Sequence, residues 1–159
     1  MRIFSFLKKK SSSDKLLIEQ LRDKIGVLPS NLSLYKTALT HKSISEEEHN
    51  ERLEFLGDAI LNSIVSEYLY KNFKNKDEGN LTKIRSRVVS RVNLNAVALK
   101  MGIESLIEFR KSLVLENSSL PGNALEAIIG AIYLDKGLKK AETFIVDKLI
   151  NQYSEIDTI

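Results

Sequence analysis

Evenly spaced acids within a strongly apolar segment are the feature that most constrains how this chain can fold. Residues 50–58 read Asn-Glu-Arg-Leu-Glu-Phe-Leu-Gly-Asp, and the acids Glu51, Glu54 and Asp58 are three and four positions apart. On a helix, that spacing places all three carboxylates on one face. The segment continues as an apolar run through Val65, which is typical of a helix buried in a core. Because buried acids need a proton, an ionic partner or a bound cation, we expect a positive group to meet this face.

A second apolar segment, residues 123–134, carries two more oxygen side chains one helical turn apart, Asn123 and Glu126. If the two helices pack face to face, three carboxylates and one amide oxygen meet. Like charges at close range repel strongly unless a divalent ion lies between them. The alternative is that arginines such as Arg52 or Arg85 form salt bridges with these acids. One pair of oxygen side chains on one helix would by itself favour salt bridges. Two such pairs, on two apolar helices, favour a metal site.

The composition limits which metal such a site can hold. The 159 residues are 43% hydrophobic, enough for one domain with a real core, and they contain no cysteine and two histidines. Oxygen ligands therefore predict Mg²⁺, for which Mn²⁺ can substitute. The absence of cysteine fits a cytoplasmic protein, and no apolar run is long enough to cross a membrane.

Helical periodicity dominates the chain, so the predicted fold class is all-α with about seven helices. We predict one domain over residues 13–155, preceded by a flexible basic arm over residues 1–12. Asn50 is the predicted N-cap of the central helix, and residues 81–101 form one helix or two. The predicted helical segments are 14–25, 32–40, 51–73, 81–101, 121–134 and 139–153.

Four segments together resemble the ribonuclease III endonuclease domain: His41–Ser43, Asn50–Asp58, Glu78–Ser86 and Ala124–Asp135. The resemblance extends over about residues 15–153. It implies an all-α homodimer that uses Mg²⁺ to cut both strands of double-stranded RNA. The implied products carry 5′-phosphate and 3′-hydroxyl ends with short 3′ overhangs.

The resemblance also implies roles for individual residues. Metal binding falls on four positions: Glu54, Asp58, Asn123 and Glu126. Among them, Asp58 and Glu126 are the implied catalytic residues. Glu51 would support the site, and Phe55 would insert into a socket on the partner subunit.

The chain departs from the family pattern at Asn123, where relatives usually carry aspartate. An amide oxygen can still bind Mg²⁺, but one negative charge is lost. We favour an active nuclease, with a weak or inactive RNA-binding scaffold as the alternative. The family also usually carries a double-stranded-RNA-binding domain after the nuclease domain, and we expect none within this chain. Such a chain is either a segment of a longer protein or a nuclease domain that acts alone.

Two further features carry predictions about contacts. Lys83, Arg87 and Arg91 recur every four residues, which gives a basic stripe if the helix is continuous. That stripe is either a contact surface for RNA phosphates or an ordinary solvated face. Gly57 lies inside the central helix, where glycine is costly, so we expect another helix, of this chain or of the partner subunit, to approach closely there.

Overall fold

The computed structural model describes residues 11–110 and 119–152. Of the arm predicted over residues 1–12, only Ser11 and Ser12 lie in this part, where they form the cap and the first residue of the first helix. The described residues form seven α-helices, a 3₁₀ turn over Ile103–Leu106 and a π-helical segment over Val146–Ile150. This architecture confirms the predicted all-α class. The α-helices are α1 Ser12–Ile25, α2 Leu32–Leu39, α3 Glu51–Asn72, α4 Glu78–Val88, α5 Arg91–Lys100, α6 Leu120–Lys136 and α7 Leu138–Ile145.

Helix α6 occupies the centre of the molecule. Between Leu120 and Ile132 most of its side chains are buried, because small and aliphatic residues cover every side of the helix. Helices α2, α3, α5 and α7 all pack against it. None of the described helices is long and apolar enough to cross a lipid bilayer.

Hydrogen bonds between side chains and backbone amides hold both ends of α6 to distant parts of the chain. At its start, the Gly122 amide donates a hydrogen bond of 2.8 Å to the Asn95 side-chain oxygen on α5. At its end, the Asp135 carboxylate accepts hydrogen bonds from the Ser30 and Asn31 amides, at 3.0 and 2.8 Å. These bonds satisfy amides at helix starts that would otherwise lack partners, and they fix α6 against α5 and α2.

Three helix starts can be compared with the sequence-based predictions. Helix α1 begins at Ser12, because the Ser11 hydroxyl caps it by accepting the Asp14 amide at 3.1 Å. Asn50 occupies the predicted N-cap position of α3, but its side chain is 2% exposed and makes no capping hydrogen bond. The segment 81–101, predicted as one helix or two, forms two, because the Ser90 hydroxyl caps a new helix by accepting the Asn93 amide at 3.2 Å. The first of these helices begins earlier than predicted, at Glu78.

Candidate metal centre

Two glycines allow α3 and α6 to touch backbone to backbone. A Cβ atom built on Gly57 would lie 1.8 Å from the carbonyl oxygen of Glu126, and one built on Gly130 would lie 2.5 Å from that of Leu53. Neither position has room for a side chain. The close approach predicted at Gly57 is therefore confirmed, and the neighbouring helix is α6 of the same chain.

This glycine contact sets the oxygen side chains of the two helices beside each other. Glu54, Asn123 and Glu126 are partly buried, and Asp58 is exposed. The acids therefore lie at the edge of the core, with the apolar helix faces behind them. The structure brings together all four residues that the resemblance assigned to metal binding.

Charge repulsion within the cluster is visible in the proton affinities of its acids. Desolvation, followed by the nearby Asp58 and Glu54 carboxylates, raises the pKa of Glu126 to about 7. Desolvation also raises the pKa of Glu54, and the charge of Glu51 adds to the effect. A hydrogen bond from the Asn123 side chain acts in the opposite direction and lowers the pKa of Glu54. Burial and the neighbouring carboxylates thus both favour the protonated form of Glu126.

The arginine salt bridges considered as an alternative are not found among the described residues. Arg85 instead donates a hydrogen bond to the Ser66 hydroxyl at 2.9 Å, and no ion pair within 4 Å joins any described arginine to the four-residue cluster. Arg91 attracts both Glu54 and Glu126 from the first turn of α5 without forming such a pair. The gap between the acids is therefore not filled by arginine.

Glu51 differs from the other acids because it has its own cation. Its carboxylate lies 2.7 Å from the Lys42 ammonium group, and that hydrogen bond lowers the pKa of Glu51. Glu51 is thus ionised and forms a salt bridge with Lys42. This pairing is consistent with a supporting place beside the cluster.

The donor atoms of the cluster suit a hard divalent cation. Three carboxylates and an amide oxygen form the kind of ligand set that Mg²⁺ and Mn²⁺ accept. In the described ranges, no three acidic or histidine side chains are already closed into a metal-binding geometry.

The predicted basic stripe does not exist as one helical face. Lys83 and Arg87 are exposed on α4, whereas Arg91 belongs to α5, beyond the break at Ser90. The prediction assumed a continuous helix. Arg91 consequently faces the acids, and only Lys83 and Arg87 remain together on α4.

Phe55 projects into solvent next to the acidic cluster, with 81% of its surface exposed. It borders a groove of about 760 Å³ whose apolar lining comes from Leu34, Leu56 and Leu134. Packing into the core of its own chain, the simplest expectation for a phenylalanine, is therefore excluded.

Sequence reasoning missed three residues that support the cluster. Asn62 donates a hydrogen bond to the Asp58 carboxylate, and its position one turn after Asp58 was a readable signal. Lys42 pairs with Glu51 across the polar loop, and Asn95 fixes the start of α6. No sequence spacing reveals these last two contacts, because each depends on the packing of separate elements.

Comparisons with known proteins identify relatives of this chain. A family model described as Ribonuclease-III-like matches residues 31–153. The Ribonuclease 3 of Azobacteroides pseudotrichonymphae is 45% identical over 163 residues, covering 99% of this chain and 60% of that protein. The Ribonuclease 3 of Bacteroides thetaiotaomicron is 45% identical over 141 residues, covering 85% of this chain and 45% of that protein. The chain thus spans about half the length of these relatives.

Solved structures agree with the sequence relatives. The nuclease domain of ribonuclease III from Campylobacter jejuni superposes with a TM-score of 0.79 at 34% identity, covering 86% of this chain and 98% of that one. Dicer from Giardia intestinalis, at 22% identity and a TM-score of 0.73, shares the fold. With the family model covering most of the chain, and with the two acidic helices packed as described, the chain belongs to the ribonuclease III family.

Proposed function

We propose that this domain is a Mg²⁺-dependent endoribonuclease that cleaves double-stranded RNA as a homodimer. The products would carry 5′-phosphate and 3′-hydroxyl ends with short 3′ overhangs. The observation that carries the proposal is the glycine contact of α3 with α6, which sets Glu54 and Asp58 beside Asn123 and Glu126. Family membership supports the same reaction. A cytoplasmic location stays a prediction from the composition.

Each member of the cluster has a distinct task in this proposal. Mg²⁺ or Mn²⁺, when bound, would supply Lewis-acid chemistry that activates water and neutralises charge at a phosphate. Glu54 and Asp58 present carboxylate oxygens from α3. Glu126 presents a third from α6 and must first lose the proton that its raised pKa retains near neutral pH. Asn123 contributes an amide oxygen and stabilises Glu54 by hydrogen bonding.

The RNA would approach across the exposed acids and the neighbouring surface of α4. Lys83 and Arg87 are exposed there and can contact backbone phosphates, which supply affinity without sequence choice. Cleavage of both strands needs two sites, and a homodimer supplies them through its two-fold symmetry.

One assay tests the function directly. Long duplex RNA incubated with the protein should be cut to short duplexes with Mg²⁺ present and should survive when the ion is chelated. Single-stranded RNA of the same sequence serves as the control substrate. Binding of the duplex without cleavage under every metal condition would instead favour the second candidate function, an inactive RNA-binding scaffold. The neutral side chain of Asn123 is the feature that supports this second candidate.

Changing Asn123 to aspartate should strengthen metal binding. The fourth carboxylate adds one negative ligand charge, so the Mg²⁺ concentration for half-maximal cleavage should fall about tenfold. Loss of the hydrogen bond to Glu54 should also destabilise the metal-free protein. A Mg²⁺ titration of the cleavage rate measures the first effect, and thermal unfolding in a chelator measures the second.

Asn75→Asp is the matched control, because it adds the same charge at an exposed residue in the α3–α4 connection. An Asn123→Asp titration curve that coincides with that of Asn75→Asp would argue against Asn123 as a ligand. Cleavage gained by Asn123→Asp from an inactive parent would identify the wild-type chain as the scaffold.

Changing Phe55 to alanine should weaken the homodimer. A buried aromatic anchor typically contributes about 2 kcal/mol or more, and two-fold symmetry counts it twice, so the dissociation constant should rise roughly 1,000-fold. Analytical ultracentrifugation over a concentration series measures this shift. Val92→Ala is the control, because Val92 is also 81% exposed but lies on α5. Equal association of both variants would exclude Phe55 from the interface.

A further inference from the structure

Asn62 is hydrogen-bonded to Asp58, the most exposed acid of the metal cluster. Its side-chain nitrogen lies 2.8 Å from Oδ1 of the Asp58 carboxylate and 3.0 Å from the Asp58 carbonyl oxygen. The two residues are one helical turn apart on α3. One side-chain nitrogen therefore contacts both the carboxylate and the backbone of the same residue.

The chemistry of these two contacts fixes the orientation of the Asn62 amide. Both contacted atoms are acceptors, so the amide nitrogen must face them, and each of its two hydrogens is used once. The reversed amide would set its oxygen against two other oxygens, which is repulsive. The Asp58 side chain is thereby restrained through Oδ1, and its carboxylate also shares a hydrogen bond with Glu126.

The donor to Asp58 is neutral, and this matters for a cation site. Among the described residues, Asp58 takes part in no ion pair within 4 Å. A lysine or arginine at the position of Asn62 would restrain the carboxylate equally well but would compete with a metal ion for its charge. An amide orients the carboxylate and leaves its charge available.

The helix around Asn62 is itself anchored to α4. The Ser66 hydroxyl donates to the Asn62 carbonyl oxygen at 2.7 Å, and Arg85 of α4 donates to that hydroxyl at 2.9 Å. The turn that carries Asn62 is therefore held from the neighbouring helix. A donor on a fixed backbone restricts its acceptor more than a donor on a mobile one.

We propose that Asn62 is a positioning residue for the metal centre: its hydrogen bond holds the Asp58 carboxylate in one orientation, in which that carboxylate would bind the divalent ion. This inference rests on the proposed function, since it takes Asp58 as a metal ligand. Residues that hydrogen-bond metal ligands typically change metal affinity by 10- to 100-fold when removed. Because this hydrogen bond is solvent-exposed, we expect the lower end of that range.

Two variants separate the carboxylate contact from the backbone contact. Asn62→Ala removes both hydrogen bonds. Asn62→Ser should keep the backbone bond, because serine and threonine hydroxyls on these helices donate to the carbonyl four residues earlier, as Ser66, Ser86 and Thr143 do. The serine variant thus removes the donor to the carboxylate alone.

The matched control lies on the same helix. Asn72 donates to the Tyr68 carbonyl oxygen at 2.8 Å, the same kind of backbone bond, near the far end of α3. Asn72→Ala should therefore show what the loss of such a bond does to helix stability alone.

The primary measurement is Mn²⁺ binding to the RNA-free protein, followed by the electron paramagnetic resonance signal of free Mn²⁺. We expect both Asn62 variants to bind Mn²⁺ about tenfold more weakly than the wild type, with Asn72→Ala unchanged. In cleavage assays, the Asn62 variants should need more Mg²⁺ and recover their rate at saturating Mg²⁺. Thermal unfolding should place Asn62→Ala and Asn72→Ala at similar stability.

Wild-type affinity for Mn²⁺ in Asn62→Ser, or equal loss of affinity in Asn72→Ala, would overturn the positioning role while leaving the metal site intact. A wild-type protein that binds no Mn²⁺ would instead refute the metal site, and with it this role. The two failures are thus distinguished by the wild-type titration alone.

Discussion

Glu126→Gln should reduce Mg²⁺-dependent cleavage of duplex RNA by about 1,000-fold, the upper range for losing one group that stabilises charge in a transition state. Glutamine has nearly the shape of glutamate but lacks the negative charge that the cation requires. Since Asn123 is already neutral, the variant would leave Glu54 and Asp58 as the two charged ligands of the cluster. Single-turnover cleavage of duplex RNA at saturating protein measures the effect.

The same variant should make the metal-free protein more stable at alkaline pH. The pKa of Glu126 is raised from 4.5 to about 7 in the folded protein, so ionising it costs free energy that the unfolded chain does not incur. Stability of the wild type should therefore fall as the pH rises from about 4.5 to 7, and glutamine removes that loss. Allowing for partial solvent screening, the gain at pH 8 should be about 1–2 kcal/mol.

Glu19→Gln on the exposed face of α1 is the control for the loss of one charge. It should alter neither cleavage nor the pH dependence of unfolding. Denaturant unfolding of both variants in a chelator at pH 5 and pH 8 tests the linkage. If Glu126→Gln cleaves RNA at the wild-type rate, the assignment of the metal centre is wrong. If it cleaves poorly without any gain in stability at pH 8, Glu126 is a metal ligand whose ionisation does not destabilise the folded protein.

Most of the candidate metal site could be predicted from sequence because the spacing of its residues along each helix is local. Helical spacing alone places Glu54 with Asp58, and Asn123 with Glu126, on common faces. The convergence of the two faces was a hypothesis, favoured because each of two apolar helices carries such a pair of oxygen side chains. The internal glycine at position 57 then indicated a close helix contact, which the structure places at α6.

What could not be predicted depends on competition between local and tertiary contacts. Ser90 begins a new helix by capping, although the periodicity of residues 81–101 also suits one continuous helix. That break separates Arg91 from Lys83 and Arg87 and turns it towards the acids. Asn50 has a residue type that favours capping, but it is buried in the fold and makes no capping bond. The capping propensity of a residue type therefore predicts helix boundaries poorly where tertiary packing determines them.

Gly57→Ala should unfold the domain or destabilise it by about 4 kcal/mol or more, beyond the range of ordinary overpacking. The added methyl carbon would lie 1.8 Å from the Glu126 carbonyl oxygen, and backbone atoms cannot move aside as a flexible side chain can. Helix propensity acts in the opposite direction, since alanine is favoured over glycine by about 1 kcal/mol. The steric term should dominate, because relieving the overlap means separating α3 from α6 along the contact that assembles the metal centre.

Gly79→Ala supplies the matched control, since it makes the same substitution on α4, where the new methyl group would meet its nearest atom at an ordinary 3.6 Å. We expect Gly79→Ala to unfold at a denaturant concentration equal to or above that of the wild type. Any folded fraction of Gly57→Ala should also bind Mn²⁺ weakly, because the ligands of the two helices would be displaced from each other. Equal stability of the two variants would mean that α3 and α6 do not touch at Gly57, and the cluster of Glu54, Asp58, Asn123 and Glu126 would lose its structural basis.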